Sequence, residues 1–163
     1  MGLRDDVQNE LDGLGQQPGW IVVSTVTGGQ PVSVRLDVSQ IESLGCQIES
    51  VTLSARSLAA ASVDDLKDWS GRLAARLTYL LEALGPLEVD EESGQVLMRS
   101  IQPQQLPDGR EYYELMLAAT GADAVSLRRY RSTKGVAGRD VVDMTVTRDV
   151  VARLVDDLVE TMP

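Results

Sequence analysis

The chain has no histidine and no phenylalanine among its 163 residues, and one cysteine. The missing histidine removes imidazole as an acid–base group near neutral pH. It also removes Ser-His and Cys-His nucleophile pairs and the commonest metal ligand. The missing phenylalanine leaves an aliphatic core to be built from Leu, Val, Ile and Met around Trp20 and Trp69. A lone cysteine, Cys46, excludes an intrachain disulfide and fits a reducing compartment. No apolar run approaches the roughly 18 residues of a membrane-spanning helix. The acidic start, MGLRDDVQNELDGLG, has no secretory pattern, and Asp6 does not fit N-myristoylation. These absences point to a soluble cytoplasmic protein that holds no metal and no other cofactor.

What is present is acidic. The net charge is −10 and the pI about 4.4. A diffuse negative field disfavours nucleic acid and anionic membrane, which both carry dense negative charge, and favours a protein partner. With 43% hydrophobic and 25% charged residues and no low-complexity tract, residues 1–163 suit a single globular domain.

The most strongly patterned stretch is Ser62–Leu84. Leu66, Trp69, Leu73, Leu77, Leu80 and Leu84 recur at helical spacing, Ser62 caps the start, and Gly85-Pro86 marks the end. Residues 3–14 predict a short amphipathic helix through Leu3, Val7, Leu11 and Leu14. Trp20–Val26 and Pro31–Ser39 predict strands joined by a Thr27-Gly28-Gly29-Gln30 hairpin. In the second strand Val32, Val34, Leu36 and Val38 share one face. Cys46–Ala55 predicts a third strand, with a bulge near Glu49 and Ser50 where the alternation breaks. After the central helix come strands at Pro86–Val89, Gln95–Ile101, Arg110–Ala119, Ala124–Ser132 and Asp140–Val146. The loop 102–109 is polar, and Thr147 caps a final helix. The expected fold is α+β, an antiparallel meander of about six to eight strands in the order α-βββ-α-βββββ-α. It is a two-layer arrangement with the sheet packed on the central helix.

Few residues carry chemistry. Arg128, Arg129, Arg131, Lys134 and Arg139 form the main basic cluster and could hold a phosphate or carboxylate. The blander alternative, ranked higher, pairs these arginines with Glu111, Glu114, Asp140 or Asp143 on neighbouring strands. Tyr112 and Tyr113 point to opposite sides of a strand, one expected in the core and one exposed. The exposed ring, beside Tyr130, would form an aromatic patch for a partner. The acidic turn Asp90–Gly94 reads as a solvated hairpin tip rather than a calcium loop. Cys46 has no activating base and reads as a buried thiol.

The order of helix, three strands, helix, further strands and final helix resembles the fold of type III secretion chaperones. That resemblance implies a small acidic cytoplasmic dimer that holds a partner polypeptide. About five strands follow the central helix here where that family has roughly two, and no site residue is carried over. The first expectation is therefore a non-enzymatic protein-interaction module of chaperone or adaptor type, with a protein partner and a homodimeric state. A small anionic ligand held by the arginine cluster ranks second. An enzyme working without histidine ranks third.

Overall fold

The computed structural model describes residues 2–163. Among these residues three α-helices bracket a run of three strands and a run of seven. The first helix, α1 (Leu3–Leu14), is followed by β1 (Gly19–Thr27), β2 (Gln30–Ile41) and β3 (Gly45–Ala55). Then comes α2 (Val63–Arg76), and after it β4 (Leu84–Asp90), β5 (Gln95–Ser100), β6 (Gln104–Leu106) and β7 (Gly109–Ala118). The chain ends in β8 (Val125–Thr133), β9 (Asp140–Val142), β10 (Met144–Thr147) and α3 (Arg148–Glu160). The class is α+β with an antiparallel sheet, as the residue pattern predicts.

All ten strands form one sheet, in the order β1-β2-β3-β8-β7-β5-β4. Two meanders thus meet where β3 pairs with β8 over Val51–Leu53. The two strands then part. The chain after β8 fills the opening, β9 pairing with β8 and β10 pairing with the first residues of β3. The strand count exceeds six to eight for this reason. A single expected strand, Asp140–Val146, divides at Asp143 to serve two neighbours, and the polar loop 102–109 contains the short β6.

Local signals account for much of this. Gly28 and Gly29 take φ of 57° and 76°, the left-handed values that a two-residue hairpin needs. The bulge falls where expected. Asp37 faces Ser50 and Val38 faces Ile48, so Glu49 is the extra residue. Gly109 is required by close approach, because a Cβ there would lie 2.0 Å from the Ser132 carbonyl oxygen. The Ser62 hydroxyl accepts a hydrogen bond from the Asp65 amide, and the Asp65 carboxylate accepts one from the Ser62 amide, a reciprocal cap.

One continuous core joins Val7 and Leu11 of α1, Leu66, Trp69 and Leu73 of α2, and Val151, Leu154, Val155 and Leu158 of α3. The strand residues in it include Ile21, Val34, Leu36, Leu53, Met98, Leu115 and Leu127. Leucine and valine supply most of it, as a chain without phenylalanine requires.

Three expectations need correction. The central helix stops at Arg76, not Leu84. Leu77 leaves the helix with ψ 53°, a 3-10 turn covers Thr78–Leu80, and Leu81 adopts φ 67°. Leu77, Leu80 and Leu84 are still buried, so the stripe is real but its last three residues lie beyond the α-helix. Gly85 and Pro86 lie inside β4. Trp20 is not a core residue and is 59% exposed. Ile21 and Val23 take the buried face of β1, so strand alternation turns Trp20 and Val22 outward.

Candidate functional site

Strand alternation on β8 sends its arginines to opposite faces of the sheet. On the core-facing side, Arg129 stands opposite Tyr113 of β7, and Arg131 stands opposite Glu111. Arg129 is nearly enclosed, its side chain 7% exposed. Its Nη2 pairs with Glu82 Oε2 at 2.8 Å and donates to Gln104 Oε1 at 3.1 Å. Its Nε donates to Glu111 Oε1 at 3.2 Å, and its guanidinium lies 4.5 Å from the Tyr113 ring centre. Arg131 donates through Nε to the other Glu111 oxygen at 2.9 Å. Burial alone would raise the Glu111 carboxyl, but its bonds from Arg131 and Arg129 outweigh that and hold it below the usual range. Burial also pushes the Tyr113 hydroxyl up.

A cleft of about 520 Å³ opens beside these groups, lined by Leu81, Glu82, Gln102, Gln104, Glu111, Tyr113, Arg129, Asp143 and Thr145 among others. It brings together Arg129 and three carboxylates, those of Glu82, Glu111 and Asp143. An entering anion would meet net negative charge. Two buried atoms at this ion pair, Arg129 Nη1 and Glu82 Oε1, have no hydrogen-bond partner.

The opposite face holds a second cluster. Glu114 of β7 is nearly buried between two arginines. Arg99 of β5 donates to its Oε2 at 3.0 Å, and Arg139 takes both oxygens in a fork, one bond at 3.0 Å. Burial opposes the charge, but Arg139 and Arg99 hold the Glu114 carboxyl below its usual range. Arg139 also stacks 3.7 Å from the Tyr130 ring centre, and Arg99 and Arg110 lie 4.8 Å and 5.7 Å from that of Tyr112. Tyr112 and Tyr130 are 6.1 Å apart between ring centres. Arg128 is on this face, opposite Glu114 in register. Lys134 is exposed in the loop after β8, where its amide donates to the Asp108 carbonyl at 2.7 Å.

The five predicted basic residues are therefore divided between two faces and an exposed loop. Arg129, Arg131 and Arg139 use Glu111 and Glu114, the carboxylates expected for them. Tyr112 and Tyr113 do point to opposite faces, yet both are buried, which corrects the expectation of one exposed ring. Guanidinium groups over the sheet cover Tyr112, and Arg129 covers Tyr113. Sequence reasoning missed Glu82 and Arg99. The leucine spacing puts Glu82 on a helix, and Arg99 meets Glu114 only through the β5–β7 register.

A third feature lies at the margins of the sheet. Both end strands have a free side, β1 pairing only with β2 and β4 only with β5. The β4 edge is blunted by Pro86, a register break after it, Glu88 and Asp90. The β1 edge has none of these devices. Residues 19–27 read GWIVVSTVT, without charge, proline or bulge. Trp20, Val22 and Val26 are its exposed apolar side chains, Val26 at 68%.

No family model, curated protein or solved structure matches the chain. The chemistry of its own residues therefore carries the functional reading. Burial pushes the Cys46 thiol up to about 11, against the opposing pull of Arg148, which makes it a poor nucleophile. Asp90 accepts bonds from the Glu92 and Ser93 amides, ordering the acidic turn. Among the described residues no group of three or more Cys, Asp or Glu side chains is placed to hold a metal ion. No helix is long and apolar enough to cross a membrane.

Proposed function

We propose that this chain is a non-enzymatic protein-interaction module of chaperone or adaptor type, acting in the cytoplasm. It binds by adding an extended segment of a partner to β1. The observation that carries this function is the contrast between the two sheet edges. A long, uncharged, unbulged edge strand is a template for another strand, and proteins normally block such an edge, as β4 is blocked. Trp20, Val22 and Val26 add an apolar row beside that edge. A photo-activatable residue placed at position 22, and separately at 89 on β4, tests it in cells. The expected result is a polypeptide adduct at 22, absent at 89 and lost when Ser24→Pro is added. No adduct at 22 sinks the proposal.

A second function is supported by the cleft at Arg129. The cleft is lined by Gln102, Gln104, Glu111 and Thr145 beside Arg129 and Glu82, and these polar side chains offer a small ligand hydrogen bonds. The surrounding carboxylates favour a neutral or cationic group over the anion first expected. A native mass spectrum of the purified protein should then show a reproducible small added mass that Arg129→Gln removes. The same spectrum without added mass, from protein purified under mild conditions, discards the ligand.

A further inference from the structure

Resting on strand addition at β1, we infer that the strand it accepts is β1 of a second copy, paired antiparallel about a two-fold axis at Val23. The hairpin geometry dictates which groups are free. Thr27 and Gln30 flank a two-residue turn and face one another, so they exchange both backbone hydrogen bonds. Alternation along the ladder then directs the N–H and C=O groups of Trp20, Val22, Ser24 and Val26 away from β2, toward the open edge. Pro31 agrees with this phase. It stands opposite Val26, in a pair that needs no N–H from it.

Only one symmetric register uses all of these groups. With the axis at Val23, Trp20 meets Val26 of the second copy and Val22 meets Ser24, each pair twice. A shift that centres the axis on Val22 sets Val26 opposite Pro18, which lies outside β1 and has no N–H. A shift that centres it on Ser24 sets Trp20 opposite Gly28, inside the hairpin turn. The register at Val23 also buries the exposed apolar rows against each other, Trp20 against Val26 on both sides of the axis. It places Val23 beside its own copy on the core-facing side.

Charge opposes the approach of a second copy in general but favours this edge over β4. Each copy carries −10, so two copies repel at long range, and the approach must be made by an uncharged surface. Residues 19–27 contain no charged side chain. Pairing through β4 would instead bring the Glu88 and Asp90 carboxylates of the two copies close together. The dimer should accordingly tighten when salt is raised from low ionic strength to about 0.15 M, where the Debye length is about 8 Å.

Sedimentation velocity and native mass spectrometry of the full chain test the dimer, and cysteine variants test its register. The expected result is a concentration-dependent dimer that Val22→Lys weakens by at least about tenfold, since like charges near the axis oppose pairing. Circular dichroism of Val22→Lys checks that it remains folded. With a short bifunctional thiol cross-linker, the double variant Val22→Cys/Ser24→Cys should link copies rapidly and each single variant slowly. Fast linking by Val22→Cys alone or by Ser24→Cys alone places the axis on that residue and overturns the register. A dimer indifferent to Val22→Lys overturns the β1 interface. A strict monomer that still gives the position-22 adduct with another polypeptide removes the homodimer and leaves strand addition standing. A strict monomer without that adduct removes both.

Discussion

The two ends of the sheet are built from different materials. At the β1–β3 end the core-facing side is mostly aliphatic, with Ile21, Val23, Val32, Val34, Leu36, Val51 and Leu53 buried. Along β7 and β8 that side begins the same way, with Leu115, Leu117, Val125 and Leu127. It then changes to Tyr113, Arg129, Glu111 and Arg131, and the other side of the same strands carries Glu114 under Arg99 and Arg139. Aliphatic burial is non-directional and indifferent to pH. A buried carboxylate is tolerated only while its specific cations stay in place. One end of the sheet thus depends on shape and the other on partners.

Substitutions can break that comparison. The largest loss is expected for Leu36→Ala in β2, fully buried at the aliphatic end, at about 2–5 kcal/mol. Leu77→Ala should fall in the same range of about 2–5 kcal/mol, because the side chain is buried although it lies beyond the helix. Denaturant unfolding measures both, and a loss below about 1 kcal/mol at either would show that burial there contributes little. Glu114→Ala should cost less, about 2 kcal/mol, since Arg99 and Arg139 remain partly open to water and can rehydrate. A double-mutant cycle with Arg139→Ala should return a clear coupling; additive losses would mean the fork contributes nothing.

Acid should separate the two ends further. Glu111 and Glu114 are held below the ordinary carboxylate range in the folded protein. Their contribution is complete above the unfolded value of about 4.3 and is lost as pH falls from there through the lower folded values. Stability should therefore hold from neutral pH down to about 5 and then fall. Glu114→Gln should fall less steeply over that window, and Leu36→Ala as steeply as the parent. Parallel curves for the parent and Glu114→Gln would remove Glu114 from the acid response. The smallest effect is expected for Lys134→Ala, within about 0.5 kcal/mol, because the side chain is exposed in a loop.

The aliphatic end was also the legible one. Periodicity, a Gly-Gly turn and a break in alternation are local signals. They located α1, the β1–β2 hairpin and the bulge at Glu49. The one error there, Trp20, arose because every residue of Trp20–Val23 is apolar, and alternation alone does not say which face is buried. The polar end was less legible. Leucine spacing in Leu77–Leu84 looks helical because burial recurs there. A 3-10 turn and a left-handed Leu81 bury the same residues by another route. That route places the Tyr79 hydroxyl 2.8 Å from Asp157 of α3, a contact 78 residues away in the chain. It also delivers Glu82 to Arg129.

Residue order by itself determined the secondary-structure class, the aliphatic core, the two outer helices and the absence of imidazole chemistry. Each follows from composition or from a period of a few residues. Only the tertiary structure decided which carboxylate meets which arginine, that both Tyr112 and Tyr113 are covered, and that β1 and β4 become the two edges. Those outcomes depend on how β3 and β8 are joined at the centre of the sheet. The pairing brings together residues more than 70 positions apart, and no local pattern encodes a contact at that distance.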